Sequence, residues 1–470
     1  MLSRNQRLLI AFFALGVFLL AFWARVRSLP VSMMLDDAVG PWLLAWGDPL
    51  SGDAHRAFYG WGMLVPYRLA LRFSASLWEA VAVLQVFHAL IAPLVLVVIL
   101  TWRSTAWIAG CVASVVLALD PGLLDTAVSG AEGYLAPLWI GCMVLAYHAR
   151  ERFWAPFVMW LSFAMAVMNH PFSLCAAPFL WGAVGRTQSQ GWAFVLGIVL
   201  LGPHLWSIWP VGTGNTGGLS LSVPEAFDAW LTQGGPSAWI LFFAPWVALA
   251  RKSTRGMALL TLASLFLLLG AGFWQGYLRD HHLRLLAVPM AACLAVVDGP
   301  WIVLVLALIR PDFVQLPPPG APPRPGTLGM ETGLASEISR LPLQNGLQID
   351  GAWLSGALVA EPSALMLDLH MRGRELSDFR TGEDLLILVS VERDKEKLFW
   401  NSPAVVARGD HHVLLLNPGD ATRELCSLGG RLGGAWNFFA VAHPSLELDA
   451  LTQWYPDCST SKPASARENR

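Results

Sequence analysis

AVAVLQVFHALIAPLVLVVIL, residues Ala80–Leu100, carries no charged side chain along its whole length. About 20 apolar residues in helical conformation cover the roughly 30 Å hydrocarbon core of a bilayer. This stretch therefore reads as a membrane span. Similar runs lie to either side: Leu8–Trp23 before it, then Ala106–Leu119, Tyr134–Tyr147, Phe153–Met168, Phe172–Val184, Trp192–Trp209, Ser237–Ala250, Met257–Phe273 and Leu285–Ile309. Several are shorter than a simple span requires, as is common where helices line an internal site. Leu8–Trp23 follows Arg4 and Arg7 like a signal peptide, but Phe22 and Trp23 leave no small-residue cleavage site, so it reads as a retained first span.

The bulk composition agrees. Of 470 residues, 14% are charged and 55% hydrophobic, against about 25% charged in soluble domains. That excludes an ordinary soluble enzyme, a disordered chain or a coiled coil. A net charge of -2 gives no reason to expect a nucleic-acid partner. Charge density returns to ordinary values only from Glu331 onward, so a membrane part precedes a water-soluble one.

Three regions follow. Residues 1–310 form a multi-spanning domain, residues 311–330 contain the proline-rich linker QLPPPGAPPRPG (Gln315–Gly326), and residues 331–470 form a soluble domain. In the last, Leu365, Leu367, Leu369 and Met371 alternate with Met366, Asp368, His370 and Arg372. With Asp384–Arg393, His411–Leu416 and Trp436–His443 this pattern predicts short strands and an all-β sandwich. The expected fold class is thus an α-helical polytopic membrane protein of about ten spans with a C-terminal all-β sandwich domain. Trp353, Trp400, Trp436 and Trp454 read as sandwich core or as a sugar-stacking surface.

With ten spans and the N-terminus inside, Arg103, Arg150, Arg152, Arg186, Arg251, Lys252, Arg255 and Arg310 fall on the cytoplasmic side. Arg25, Arg27, Arg56, Arg68, Arg72, Arg279 and Arg284 fall on the opposite side, against the trend. Span count places the C-terminal domain in the cytoplasm; the domain type and the pair Cys426 and Cys458 suit the outside. Asp298 interrupts the last apolar run, and if it splits that run in two the side changes. Cys111, Cys142, Cys175 and Cys293 read as packing residues.

Four outer segments concentrate chemistry. Asp36-Asp37 follows the first span and precedes Ala38–Trp46, an expected interfacial helix. The pair either caps that helix or supplies a general base. LALDPGLLDTAVSGAEGY brings Asp120, Asp125 and Glu132 to the same face. Such carboxylates have the oxygen ligands a divalent metal takes, though no fixed spacing demands one. Asn169-His170-Pro171 ends a span. YLRDHHLRLLAVPM (Tyr277–Met290) sets Arg279, His281, His282 and Arg284 together, a match for a phosphate at the membrane surface.

Taken in order, these segments resemble the GT-C superfamily of polytopic membrane glycosyltransferases, such as the protein O-mannosyltransferases and the aminoarabinose transferases of lipid A. Those enzymes place an acidic pair, usually Asp-Glu, after their first span; here it is Asp36-Asp37. Tyr59-Gly60-Trp61-Gly62 through Pro66 resembles the end of their first outer loop, and Asp120–Glu132 their second. Arg284 through Pro289 resembles a late Arg-Tyr-x-x-Pro motif, with Leu285 in place of the tyrosine.

The resemblance implies a GT-C-like fold over about residues 8–310 and transfer of a sugar from a polyprenyl-phosphate-linked donor to an envelope acceptor hydroxyl. It implies Asp36, with Asp37 as alternate, as general base. Arg284, with Arg279, His281, His282 or His170, would stabilise the leaving phosphate, and single displacement would invert the anomeric centre. Asp120, Asp125 and Glu132 would line the substrate site. The expected location is a multi-pass inner or plasma membrane protein with its site facing away from the cytoplasm. The competing expectation is a non-enzymatic protein that binds or carries a lipid-linked glycan with the same residues.

Overall fold

The structure is a computed structural model. It describes residues 3–31, 41–42, 44–46, 60–124, 134–181, 188–208, 222–275, 278–296, 327–340, 349–353, 363–373, 385–389, 405–408 and 412–416. The chain divides into two compact units. One comprises Met1–Leu29, Gly40–Ser74 and Glu79–Pro318; the other comprises Pro30–Val39, Ala75–Trp78 and Pro319–Arg470.

The first unit is helical. Its elements are α1 (Arg4–Ser28), α2 (Trp61–Arg72), α3 (Leu77–Ala89, whose first residues belong to the second unit), α4 (Ile91–Trp102), α5 (Trp107–Ala118), α6 (Ala136–His148), α7 (Ala155–Asn169), α8 (Ala177–Trp181), α9 (Gln188–Ile208), α10 (Val223–Leu249), α11 (Arg255–Gln275), α12 (Asp280–Leu283) and α13 (Ala287–Ala292). Short 3-10 turns, such as Pro171–Ala176 and Arg284–Leu286, join several of them.

Helix α1 starts at a capping box. The Gln6 N–H donates to Ser3 Oγ at 3.2 Å, and the Ser3 N–H donates to Gln6 Oε1 at 2.9 Å. One side of α1 exposes Leu8, Leu9, Phe12, Leu15, Leu19 and Trp23. The other buries Val17, Ala21, Ala24 and Arg25. An exposed apolar stripe opposite a face of small residues suits a helix that meets lipid on one side and protein on the other.

Three helical stretches, Arg4–Ser28, Leu77–Trp102 and Arg255–Trp274, are long and apolar enough to cross a membrane. The other expected spans include shorter apolar helices such as Ala136–His148 and Ala155–Asn169. At 1.5 Å per residue, a helix of that length covers only about 20 Å. Leu77–Trp102 breaks at Leu90 between α3 and α4. Pro93 lacks the N–H that would bond the Ala89 carbonyl, which accounts for the break.

Two expectations are corrected. The outer segment between the expected spans Leu8–Trp23 and Ala80–Leu100, where only the short interfacial helix Ala38–Trp46 was expected, contains α2. Its Met63, Tyr67, Ala70 and Leu71 are buried at helical spacing, and Gly62 lets it approach α7, since a Cβ there would sit 2.0 Å from the Met165 carbonyl oxygen.

The second correction concerns Ala364–Arg372, which is the helix α15 (Ser363–Met371) and not a strand. Ala364, Leu365, Leu367, Asp368 and Leu369 are all buried. A helix covered on several sides shows no 3.6-residue stripe, and its Leu and Met side chains favour helix over strand.

In the second unit α14 (Leu328–Arg340) packs on α15. The Leu365 N–H donates to the Glu331 carboxylate at 3.0 Å. Asp368 accepts from the Leu77 N–H at 2.7 Å and pairs with Arg372 at 3.1 Å. The strands β1 (Ile349–Trp353), β2 (Leu385–Val389), β3 (Val405–Arg408) and β4 (His412–Leu416) form one sheet in the order β1-β2-β4-β3. β1 and β2 are parallel; β2–β4 and β3–β4 are antiparallel. Among the described residues this is a single mixed sheet with two helices, not an all-β sandwich. Trp436–His443, Cys426 and Cys458, the proline-rich linker and Asp298 lie outside the described residues.

Candidate functional site

The site is assembled around a break in α10. That helix begins at Ser222, whose Oγ accepts from the Glu225 N–H at 3.4 Å while Glu225 Oε2 accepts from the Ser222 N–H at 2.8 Å. At Gly235 the backbone turns to φ 53° and ψ -140°. Only glycine adopts this without strain, and Pro236 next to it could not continue the helix ladder. The break sets Gln233 before the turn and Ser237 after it, and both contact the residues that carry charge.

Asp120 follows the end of α5 and is 1% exposed. Its Oδ1 accepts the Leu123 N–H at 2.7 Å, and its Oδ2 accepts the Ser237 hydroxyl. Ser237 also lies 2.9 Å from the Gly234 carbonyl oxygen. Arg284 is 3% exposed and donates from Nη2 to Gln233 Oε1 at 3.0 Å. Burial pushes the Asp120 carboxyl above its ordinary range; the Ser237 hydroxyl, the Arg284 charge, the Leu123 N–H and the Arg25 charge act against that. The structure thus brings Asp120 and Arg284, expected from separate segments, into one electrostatic unit.

Gly122 makes room for Arg284. A Cβ on Gly122 would lie 2.4 Å from Arg284 Nε and 2.6 Å from Cζ. Gly122→Ala should therefore displace the guanidinium. Overpacking of this kind costs about 1–3 kcal/mol, read as a lower unfolding temperature in detergent; an unchanged temperature would show that the guanidinium moves freely.

His170, at the end of α7, joins the Arg279–Arg284 segment. Its ring centroid lies 4.7 Å from that of His282 and 6.5 Å from that of His281, and the Phe172 ring lies tilted beside His282 at 4.4 Å. The His170 Nδ1 accepts from the Phe172 N–H at 3.2 Å, and the His282 Nδ1 accepts from the Arg279 N–H at 3.1 Å. Burial, then the neighbouring His281, His170 and Arg279, hold His282 well below the ordinary histidine range, so it is neutral at neutral pH. Asn169 is 1% exposed, and its side-chain nitrogen and oxygen have no partner among the described residues.

Arg25 is the residue that the sequence flagged without assigning. It is fully buried on α1, donating from Nε to His88 Nδ1 at 2.8 Å and from Nη1 to the Ala21 carbonyl at 2.8 Å. Its Nη2 has no partner among the described residues. His88 stacks on Tyr134 at 5.6 Å, Tyr134 packs on Tyr67 at 5.8 Å, and Tyr67 on Trp42 at 4.4 Å. A buried arginine in a membrane span is costly and marks a functional candidate. Its signal in the sequence was a basic residue on the side where the charge rule disfavours one.

Asp36, Asp37, Asp125 and Glu132 lie outside the described residues. Among the described residues, no group of three or more His, Cys, Asp or Glu side chains is placed to hold a metal ion. Cys111, Cys142, Cys175 and Cys293 are free thiols.

No protein-family pattern matches the chain, and no curated protein matches it by sequence. Solved structures do match. The crystal structure of ArnT from Cupriavidus metallidurans bound to undecaprenyl phosphate aligns with a TM-score of 0.52 at 13% identity, covering 88% of this chain and 98% of that one. The apo state of the same protein aligns at 0.49 with 14% identity over the same shares. The chain shares the fold of the ArnT structure bound to undecaprenyl phosphate, as the resemblance read from the sequence led one to expect. The described residues are mostly helical in this architecture, and three of the helical stretches are long and apolar enough to cross a membrane.

Proposed function

We propose that the protein transfers a sugar from a polyprenyl-phosphate-linked donor to an envelope acceptor hydroxyl, on the membrane face away from the cytoplasm. The observation that carries this reading is the shared fold with an ArnT structure that holds undecaprenyl phosphate, joined to a buried Asp120–Arg284 unit in the helical part of the chain.

In this reading the sugar's anomeric carbon develops oxocarbenium character as its bond to the lipid phosphate breaks. Arg284 meets the charge that grows on the leaving phosphate, since a fixed guanidinium in a dry site needs no reorganisation as the bond breaks. Arg279 and Arg25 add positive potential. Asp36, with Asp37 as alternate, accepts the acceptor's proton, and single displacement inverts the anomeric centre. Asp120 holds Arg284 in place through their shared surroundings. Asp125, Glu132, His170, His281 and the neutral His282 bind the substrates through hydrogen bonds. The acidic set also has the chemistry to take a divalent cation.

The test is purified protein in detergent or bilayer discs, assayed against a panel of polyprenyl-phosphate sugars. Turnover of one donor, dependent on its lipid phosphate, is the expected result. Tight donor binding without transfer to any acceptor hydroxyl would instead favour a glycan-binding or carrier role.

A further inference from the structure

The opposite end of the same helices carries a second polar pocket of about 260 Å³, lined by Thr101, Trp102, Tyr147, His148, Arg150, Glu151, Ser253, Gly256 and Met257. The helix directions place it away from the first site. Helix α5 begins after Arg103 and ends just before Asp120; α6 begins after Tyr134 and ends at His148; α11 begins at Arg255 and leads to Arg279. The twelve residues of α5 alone separate the two ends by about 18 Å.

The pocket's walls are ordered by specific contacts. The Trp102 and His148 rings stack at 4.9 Å with a 16° interplanar angle. The His148 Nε2 is shielded and has no partner among the described residues. The Arg150 guanidinium lies over the Tyr147 ring at 5.0 Å. Arg103 donates to Ser253 Oγ at 3.3 Å and approaches the Ala295 carbonyl oxygen at 3.5 Å, joining the start of α5 to the turn before α11. Arg103, Arg150, Arg152, Arg251, Lys252 and Arg255 lie in these segments against the single acid Glu151. Thr101 and Trp102 end one apolar span, and Gly256 and Met257 begin another. The pocket therefore belongs at the boundary of the apolar layer, where lipid headgroups lie.

We propose that this pocket binds the phosphate of an anionic ester at the membrane boundary, separately from the donor site. Arg150, oriented by Tyr147, supplies the charge; the Ser253 hydroxyl, which accepts from Arg103 and so keeps its own proton free, supplies a hydrogen bond. A snorkelling arginine would satisfy the interface without a pocket. Here the arginine borders a pocket that also carries the Ser253 hydroxyl, in a segment where basic residues outnumber the one acid, which is the chemistry of an anion site.

The experiment uses the full-length protein in detergent and native mass spectrometry. Short-chain phosphatidylglycerol, phosphatidylcholine and inorganic phosphate are titrated as probes. Wild type should retain phosphatidylglycerol roughly tenfold better than phosphatidylcholine. Arg150→Glu should remove most of that preference and Ser253→Ala part of it, whereas Arg7→Glu, a basic-to-acidic change elsewhere, should keep it. Competition by millimolar inorganic phosphate would identify free phosphate as a ligand of the same site; its absence would identify the lipid headgroup. Equal retention of both lipids by wild type, or equal losses in Arg150→Glu and Arg7→Glu, would overturn the proposal. Arg150 is exposed, so its replacement leaves the fold intact.

Discussion

Arg284→Ala should abolish use of the lipid-linked donor and also destabilise the protein. Arg284 and Asp120 are both buried, so truncating the arginine leaves a carboxylate out of water with one cationic neighbour fewer. Removing one partner of a directly paired buried charge costs about 3–5 kcal/mol; Arg284 acts on Asp120 through space, and the Ser237 and Leu123 donors remain on Asp120, so the expected loss falls below that range. Asp120→Asn added to Arg284→Ala removes the stranded charge. The double variant should regain much of the unfolding temperature while staying inactive with the donor. Recovery of transfer together with stability would show that Arg284 is a structural residue only. The cycle separates the two roles because the residues share an environment and their effects are not additive.

Asp36→Asn and Asp37→Asn form the second large prediction. A positioned general base contributes roughly 10²–10⁴-fold to rate. One of the two variants should lose turnover in that range, with donor binding little changed, because the base acts on the acceptor. The measurement is initial rate against donor and acceptor concentration in purified, folded protein. Full transfer by both variants would end the enzymatic reading with Asp36 or Asp37 as base.

How much of this was legible beforehand depends on the kind of signal. The absence of charge from Ala80 to Leu100 announced a membrane helix, and the order of Asp36-Asp37, Asp120 and Arg284 pointed to the fold later seen in ArnT. Arg25 was visible as a basic residue out of place, but its partner His88 lies 63 positions away in an apolar run, and no local pattern links the two. Gln233 and Ser237 were equally hidden. They are ordinary polar residues until the backbone at Gly235 turns them toward Arg284 and Asp120.

The misreading of Ala364–Arg372 has a different cause. Its alternating leucines suggested a half-buried strand, yet Asp368 on the supposed polar side is fully buried. There it accepts the Leu77 N–H and pairs with Arg372. Helix α2 could have been found, since its buried positions follow helical spacing, but the surrounding glycines and Pro66 gave the segment the look of a loop.

The break at Gly235 also sets how the candidate site can respond to motion. Gln233 grips Arg284 from one half of α10, and Ser237 grips Asp120 from the other. A change in the bend moves one grip relative to the other, so the cation and the carboxylate cannot both keep their partners while the helix straightens. The glycine is a joint whose angle is written into the spacing of two opposite charges, and a bulky substrate that flexes this helix would retune the local field as it enters.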